Sequence, residues 1–167
     1  VDSSYGVDGG DRSAIEVLRV GNKWGPDEQV AEWCGTISPA DLAIPCWLVG
    51  HLYTDKADSR PALMAIECST GSPGIVAQTD LMRRGYPNFY IYKRPLKAAG
   101  GGWSSDVGWW TTSATRPVLT EDGVKSIISG ELIVNSPYLV EEMSSFGPQF
   151  TRAGMKRLEH APGYHDD

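Results

Sequence analysis

Cysteine is scarce in this chain. Only Cys34, Cys46 and Cys68 occur in 167 residues, and no two form a C-x-x-C pair. That spacing argues against a zinc site or a disulfide framework and suits a reducing compartment. No apolar stretch approaches the roughly 18 residues of a membrane span. No signal-peptide pattern is visible, and a chain opening on Val1 is expected to be a piece of a longer protein. Heptads, internal repeats and low-complexity blocks are missing too. There is no G-x-S-x-G, and no cysteine carries a local catalytic signature, which excludes a serine or cysteine triad. There is no G-x-x-x-x-G-K-[ST], so no P-loop motor is encoded here. Positive charge is not in excess: the net charge of −6 gives no global signature for nucleic acid. An acidic cluster that holds metal remains compatible with that balance, because bound cations invert the local field.

The 41% hydrophobic content is enough for one ordinary domain with its own core, spanning residues 1–167. Gly6-Val7-Asp8 reads as the end of an opening strand, and Gly9-Gly10 as a tight turn into a second strand over Asp11 to Val20. Gln29 to Ile37 suits a third strand. Ser38-Pro39 has the chemistry of a helix start, and the helix is expected from Asp41 to about Tyr53, carrying Leu42, Trp47, Leu48 and Leu52. Pro45 is expected to end or kink it. Asp55 to Arg60 is a polar loop. Pro61 to Glu67 lacks polar alternation until its last residue, the pattern of a central strand buried on both faces. A turn over Ser69 to Gly74, a helix from Ile75 to Arg84 and a strand from Asn88 to Lys93 follow. Lys97 to Val107 is a mobile loop or a hairpin. Thr120 to Ser129 is helical, Glu131 to Val134 strand-like, and Pro137 to Ser145 helical. Strands first, then helices alternating with strands, imply an α/β layer structure with a mixed sheet.

Three acidic points lie at the edges of these elements: Asp8 after the opening strand, Glu67 after an apolar run, and Asp166-Asp167 at the end of the sequence. Hard divalent cations such as Mg²⁺ and Mn²⁺ take oxygen ligands. Carboxylates gathered around them allow phosphodiester hydrolysis without a nucleophilic side chain. Each acid also has a plainer reading. Asp8 is a turn residue, Glu67 is a strand-end acid reaching solvent, and Asp166-Asp167 with His165 is a solvated tail. Glu67 is the most informative, since a carboxylate after five apolar residues is costly to bury without a partner.

Five segments occur in a telling order: Val7 to Ile15 (VDGGDRSAI), Ala65 to Cys68 (AIEC), Gly85 to Asn88 (GYPN), Gly108 to Pro117 (GWWTTSATRP) and Ala161 to Asp167 (APGYHDD). Together they resemble the nuclease domain of the large terminase subunit of tailed bacteriophages. The likeness covers most of the chain. It implies an RNase H-like α/β fold, with a central mixed sheet of five or more strands flanked by helices, related to Holliday-junction resolvases. It implies cutting of concatemeric double-stranded phage DNA during head filling. Carried over by position, Asp8 matches the first-strand acid that bridges two Mg²⁺ or Mn²⁺ ions, and Glu67 matches the acid ending the central strand. Asp166 and Asp167 match the terminal acidic pair. Asp11 matches a frequent hairpin acid that is not expected to ligate. Thr112, Ser113, Thr115 and Arg116 match a segment near the site. The first hairpin is shorter than is usual in the family, and the family continues past the acidic pair into an apolar helix.

On this resemblance the chemistry is two-metal hydrolysis. Phosphates would be held by Arg83, Arg84, Lys93, Arg94, Lys97 and Arg116, contacts that carry no sequence information. Arg83-Arg84 equally suits a solvated helix end, favourable to the helix dipole. Trp109 and Trp110 suit core or hairpin packing better than base stacking. Implied partners are double-stranded DNA, an ATPase domain in the same full-length polypeptide, the small terminase subunit and the portal protein, with no membrane, in the host cell cytoplasm during assembly. The alternatives are a resolvase-type nuclease of the same fold and a catalytically silent module that docks DNA or protein.

Overall fold

The computed structural model describes residues 1–7, 10–95, 102–150 and 156–160. In chain order the elements are β1 (Ser13–Arg19), β2 (Asp27–Gly35), α1 (Ala43–Leu52), β3 (Glu67–Cys68), α2 (Pro73–Arg83), β4 (Ile91–Pro95), β5 (Trp103–Val107), β6 (Trp109–Trp110), α3 (Thr115–Ile128), β7 (Leu132–Ile133), α4 (Pro137–Ser145), β8 (Phe146–Phe150) and β9 (Lys156–His160). The class is mixed α/β. Among the described residues the named strands form one sheet of three strands and three pairs, and a single sheet of five or more strands is not shown among them. No described helix is long and apolar enough to cross a membrane. The chain divides into two compact units, Val1–Ile15 with Cys34–Leu119, and Glu16–Trp33 with Thr120–Asp167.

In the first unit the run from Met64 to Cys68 has backbone partners on both edges. Val1 N donates to Ala65 O at 2.8 Å and Glu67 N donates to Val1 O at 2.9 Å, a parallel pairing. Beyond it, Asp2 and Ala14 exchange both backbone bonds antiparallel, each at 3.0 Å. On the other edge Met64 bridges Phe89 in parallel, and β3 pairs in parallel with β6, Glu67 opposite Trp109. The opening strand is therefore paired at Val1 and Asp2. It does not stay extended as far as expected, since Gly6 has φ +67°. Gly10 N donates to Val7 O at 3.0 Å, and Asp8 and Gly9 of the expected tight turn lie outside the described residues.

Burial along Met64–Cys68 alternates, which corrects the expectation of a strand buried on both faces. Met64, Ile66 and Cys68 are buried, whereas Leu63 is 60% exposed and Ala65 and Glu67 are half-buried. Successive side chains point to opposite sides of a strand. Helix α2 packs on β3 from the buried side, where Cys68 Sγ meets Gln78 Oε1 at 3.5 Å. Apolar composition could not reveal that only one face is covered.

Helix α1 passes through Pro45 without ending there. Pro45 is its third residue, where the missing N–H would have had no intrahelical partner. Ser38 caps the preceding turn, its Oγ accepting from Asp41 N at 3.2 Å, rather than the helix itself. The inner face of α1 is built from small residues, Ala43, Cys46 and Gly50. Of the four large apolar residues that the expected helix carries, Trp47, Leu48 and Leu52 are exposed and only Leu42 is buried. Small residues at the contact let the helix lie close: Tyr86 fills the space beside Gly50, where a Cβ would meet its hydroxyl at 2.2 Å.

In the second unit β2 pairs in parallel with β7, Asp27 opposite Leu132. The start of α4 is fastened by one buried amide. Gln29 is 2% exposed, and its Oε1 accepts from Asn135 N at 2.9 Å and Ser136 N at 2.7 Å. Its Nε2 donates to Glu16, and Ser136 Oγ, which caps α4, donates to Glu32 at 2.6 Å. Helix α4 matches its expected bounds, because Ser136 and Pro137 are a good N-cap and first residue. No element was legible after Ser145, where β8 and β9 form an antiparallel hairpin.

Burial raises the Glu16 carboxyl above its ordinary range, against the lowering effect of the Gln29 bond, and Glu32 and Glu142 add to the rise. The folded state then holds this proton at a pH where the unfolded chain has released it, so this group's contribution to stability falls as pH rises through that window. Glu16→Gln should flatten the fall and raise the melting temperature at neutral pH. Thermal melts between about pH 4 and pH 8 would test this; a variant less stable than the parent at neutral pH would show that the ionised carboxylate is favoured at this position.

Candidate functional site

Glu67 is the one proposed metal ligand among the described residues; Asp8, Asp166 and Asp167 lie outside them, as does Lys97. It opens β3, and its backbone is held on three sides. Its N–H goes to Val1, its neighbour Ile66 accepts from Trp109 N at 2.8 Å, and the N-terminal turn of α2 presses against its carbonyl. That last approach requires glycine. A Cβ on Gly74 would lie 1.9 Å from Glu67 O. Gly108 has the same role opposite Ile66, with φ +83° and a Cβ that would lie 2.7 Å from Ile66 O. The side chain of Glu67 is half-buried at the carboxyl end of its run, and the chain from Val1 runs parallel to that run with Val1 opposite Ile66. Among the described residues no three His, Cys, Asp or Glu side chains gather as a metal site.

The described basic candidates are all exposed, and two of them lie in ion pairs. Arg83 and Arg84 close α2, as the helix-end reading has it, and Arg84 Nε pairs with Asp80 Oδ2 at 2.7 Å. Arg94 Nε lies 3.1 Å from Asp106 Oδ2 across the β4–β5 pair, an ion pair without hydrogen-bond geometry. Lys93 is exposed opposite Ser105. Neighbouring positions on one strand face opposite ways, so Lys93 and Arg94 serve different surfaces. Arg116 is exposed in the first turn of α3.

Thr112 and Thr115 bond one another and close the start of α3 themselves. Thr112 N donates to Thr115 Oγ1 at 2.8 Å and Thr115 N to Thr112 Oγ1 at 3.1 Å. Two polar groups that a phosphate could have used are thereby occupied. Trp109 packs edge-on against Tyr92, with ring centroids 5.3 Å apart, and tilts against Tyr90 at 6.3 Å, in line with the packing reading. Trp110 is half-buried beside it. Trp103, absent from the candidate site residues, is 68% exposed at the outer end of the ribbon, opposite Pro95.

A cleft of about 380 Å³ lies within the second unit between residues 28–32 and Asn135-Ser136. None of the sequence candidates lines it. Its acids already have partners: Glu28 meets Arg19 and Asn135, and Glu32 meets Ser136. The chain matches no protein-family model, no curated protein and no solved structure.

Proposed function

We propose that this chain is a divalent-metal-dependent endonuclease domain, RNase H-like with a central mixed sheet of five or more strands, of the kind carried by the large terminase subunit. It would cut concatemeric double-stranded viral DNA during genome packaging. The observation that supports this best is the parallel pairing of Val1 with Ile66. Parallel neighbours end at the same edge of a sheet, so Glu67 and the segment leading to Asp8 depart from one edge. In open α/β sheets, ligand sites lie outside the carboxyl ends of strands.

The donors suit the ions. Glu67 offers carboxylate oxygens that are neither deeply buried nor bonded to a cation among the described residues, and hard cations take such ligands. Asp8, Asp166 and Asp167 would complete the set around two Mg²⁺ or Mn²⁺. Bound ions would supply an activated water and stabilise the leaving oxygen. The protein's part is to hold the carboxylates on a fixed backbone and to position phosphates with Arg83, Arg84, Lys93, Arg94, Lys97 and Arg116. Ligands must be deprotonated to bind, so metal affinity should rise with pH. The ATPase domain of the same polypeptide, the small subunit and the portal are the proposed partners, in the host cytoplasm.

Plasmid nicking tests the reading. It should require Mn²⁺ or Mg²⁺ and stop with chelator. Asp8→Asn should abolish it, leaving the melting temperature unchanged or higher because one of several like charges is removed. Full nicking by Asp8→Asn, or nicking in chelator, would overturn the assignment. A chain that neither nicks nor takes up Mn²⁺ in a titration would be a docking module.

A further inference from the structure

The cations of this acidic chain are unevenly placed. From Leu81 to Ser105 the sequence contains Arg83, Arg84, Lys93, Arg94 and Lys97 and no Asp or Glu. A third of the 15 basic residues thus fall in a stretch that holds none of the 21 acids. Most of that stretch leads into and forms the β4–β5 ribbon, which is rooted beside Glu67. Gly108, just past the end of β5, donates to Tyr90 O at 2.9 Å, and the next residue, Trp109, pairs with Glu67.

The register sorts the ribbon into two faces. Ile91, Lys93, Trp103, Ser105 and Val107 share one, through the pairs Ile91–Val107 and Lys93–Ser105 with Trp103 next along β5. Tyr92, Arg94, Ser104 and Asp106 share the other, where Arg94 and Asp106 neutralise each other. The first face is open: Ile91, Lys93, Trp103 and Ser105 are all exposed. Lys93 and Trp103 are diagonal neighbours on it, close enough to engage one ligand. Trp103 lies four steps along the strand from Val107, about 13 Å. The exposed indole is therefore carried outward from the element that holds Glu67.

An exposed tryptophan beside an exposed lysine, on the ribbon face away from the Arg94–Asp106 pair, suits a polyanionic ligand that carries flat apolar groups. We propose that the β4–β5 ribbon is a DNA-gripping arm, in which Lys93 neutralises a backbone phosphate and Trp103 packs against bases and sugars in a groove of the duplex. A two-stranded ribbon fits a groove, and apolar wedges are a recurrent means of engaging one. The choice of duplex DNA rests on the nuclease reading, whereas the polyanion follows from the charge pattern. Trp24 gives an internal contrast. It is 83% exposed and has a lysine over its ring, Lys23 at 4.6 Å, but Asp27 and Glu28 follow closely.

Binding of the whole chain to a duplex oligonucleotide, measured by fluorescence anisotropy in chelator so that nothing is cut, provides the test. Trp103→Ala should weaken binding by about 5- to 100-fold, the range of losing one aromatic contact, and Trp103→Tyr should restore most of it. Lys93→Ala should lower the slope of log affinity against log salt by about 0.9, one phosphate contact. Trp24→Ala and Lys56→Ala, placed among acids, should bind like the parent. Parent-like binding by Trp103→Ala, or equal losses in Trp103→Ala and Trp24→Ala, would overturn the proposal. The two readings fail separately. Parent-like binding by Trp103→Ala with metal-dependent nicking intact removes the arm and keeps the nuclease. Weakened binding in a chain that nicks with no metal keeps the arm and removes the nuclease.

Discussion

Glu67→Gln should lower plasmid nicking by more than about 100-fold and leave the melting temperature within a few degrees of the parent. Partners that merely orient metal ligands cost about 10- to 100-fold when removed, so loss of a ligand itself should exceed that. The stability half of the expectation comes from the division of labour at this residue. What holds β3 is the backbone of Glu67: its N–H on Val1, its carbonyl under Gly74 and its pairing with Trp109. The half-buried side chain makes none of these bonds, and glutamine is nearly isosteric. Nicking assays with Mn²⁺, run beside thermal melts, separate the two effects. Nicking within tenfold of the parent would remove Glu67 from the site, and a large drop in melting temperature would make it a structural acid instead.

Gly74→Ala should be among the most destabilising single substitutions in the first unit, costing about 3 kcal/mol, the upper part of the usual range for overpacking. Two effects compete. Alanine is the better helix former by about 1 kcal/mol, and Gly74 is the second residue of α2. Against that, the new methyl would sit 1.9 Å from the Glu67 carbonyl oxygen, far inside van der Waals contact with an atom that cannot rotate away. Sterics should win, either by lifting α2 from β3 or by shifting Glu67. Chemical denaturation measures the cost, and metal titration reads the shift. A variant as stable as the parent would mean that helix propensity governs this position.

The elements that were legible in the sequence share one property: their signals are local. Ser136-Pro137 fixes the start of α4, and Ser69 to Gly74 announces the turn before α2. The β-branched run over Asp11 to Val20 contains β1. Of the range Lys97 to Val107, expected as a loop or hairpin, Trp103–Val107 forms β5 and pairs with β4, while residues 97–101 lie outside the described residues. Less was legible where the outcome depends on what lies across the chain. Pro45 looks like a breaker until its place in the first turn is known, since only later positions need the N–H that proline lacks. Trp47, Leu48 and Leu52 look like core, yet α1 turns its small residues inward because Tyr86 occupies the space beside Gly50.

The same division runs through the site. The sequence by itself determined that Glu67 ends an apolar run, that acids are few near Arg83 to Lys97, and that serine, cysteine and P-loop chemistries are absent, because composition and spacing are properties of the chain alone. Only the tertiary structure decided that Val1 runs parallel beside Ile66, that Arg84 and Arg94 are already paired with Asp80 and Asp106, and that Trp103 shares an open face with Lys93. The physical reason is register. Pairing between segments some 65 residues apart sets which side chains share an edge or a face, and a slip of one position would turn every side chain of a strand to the other side.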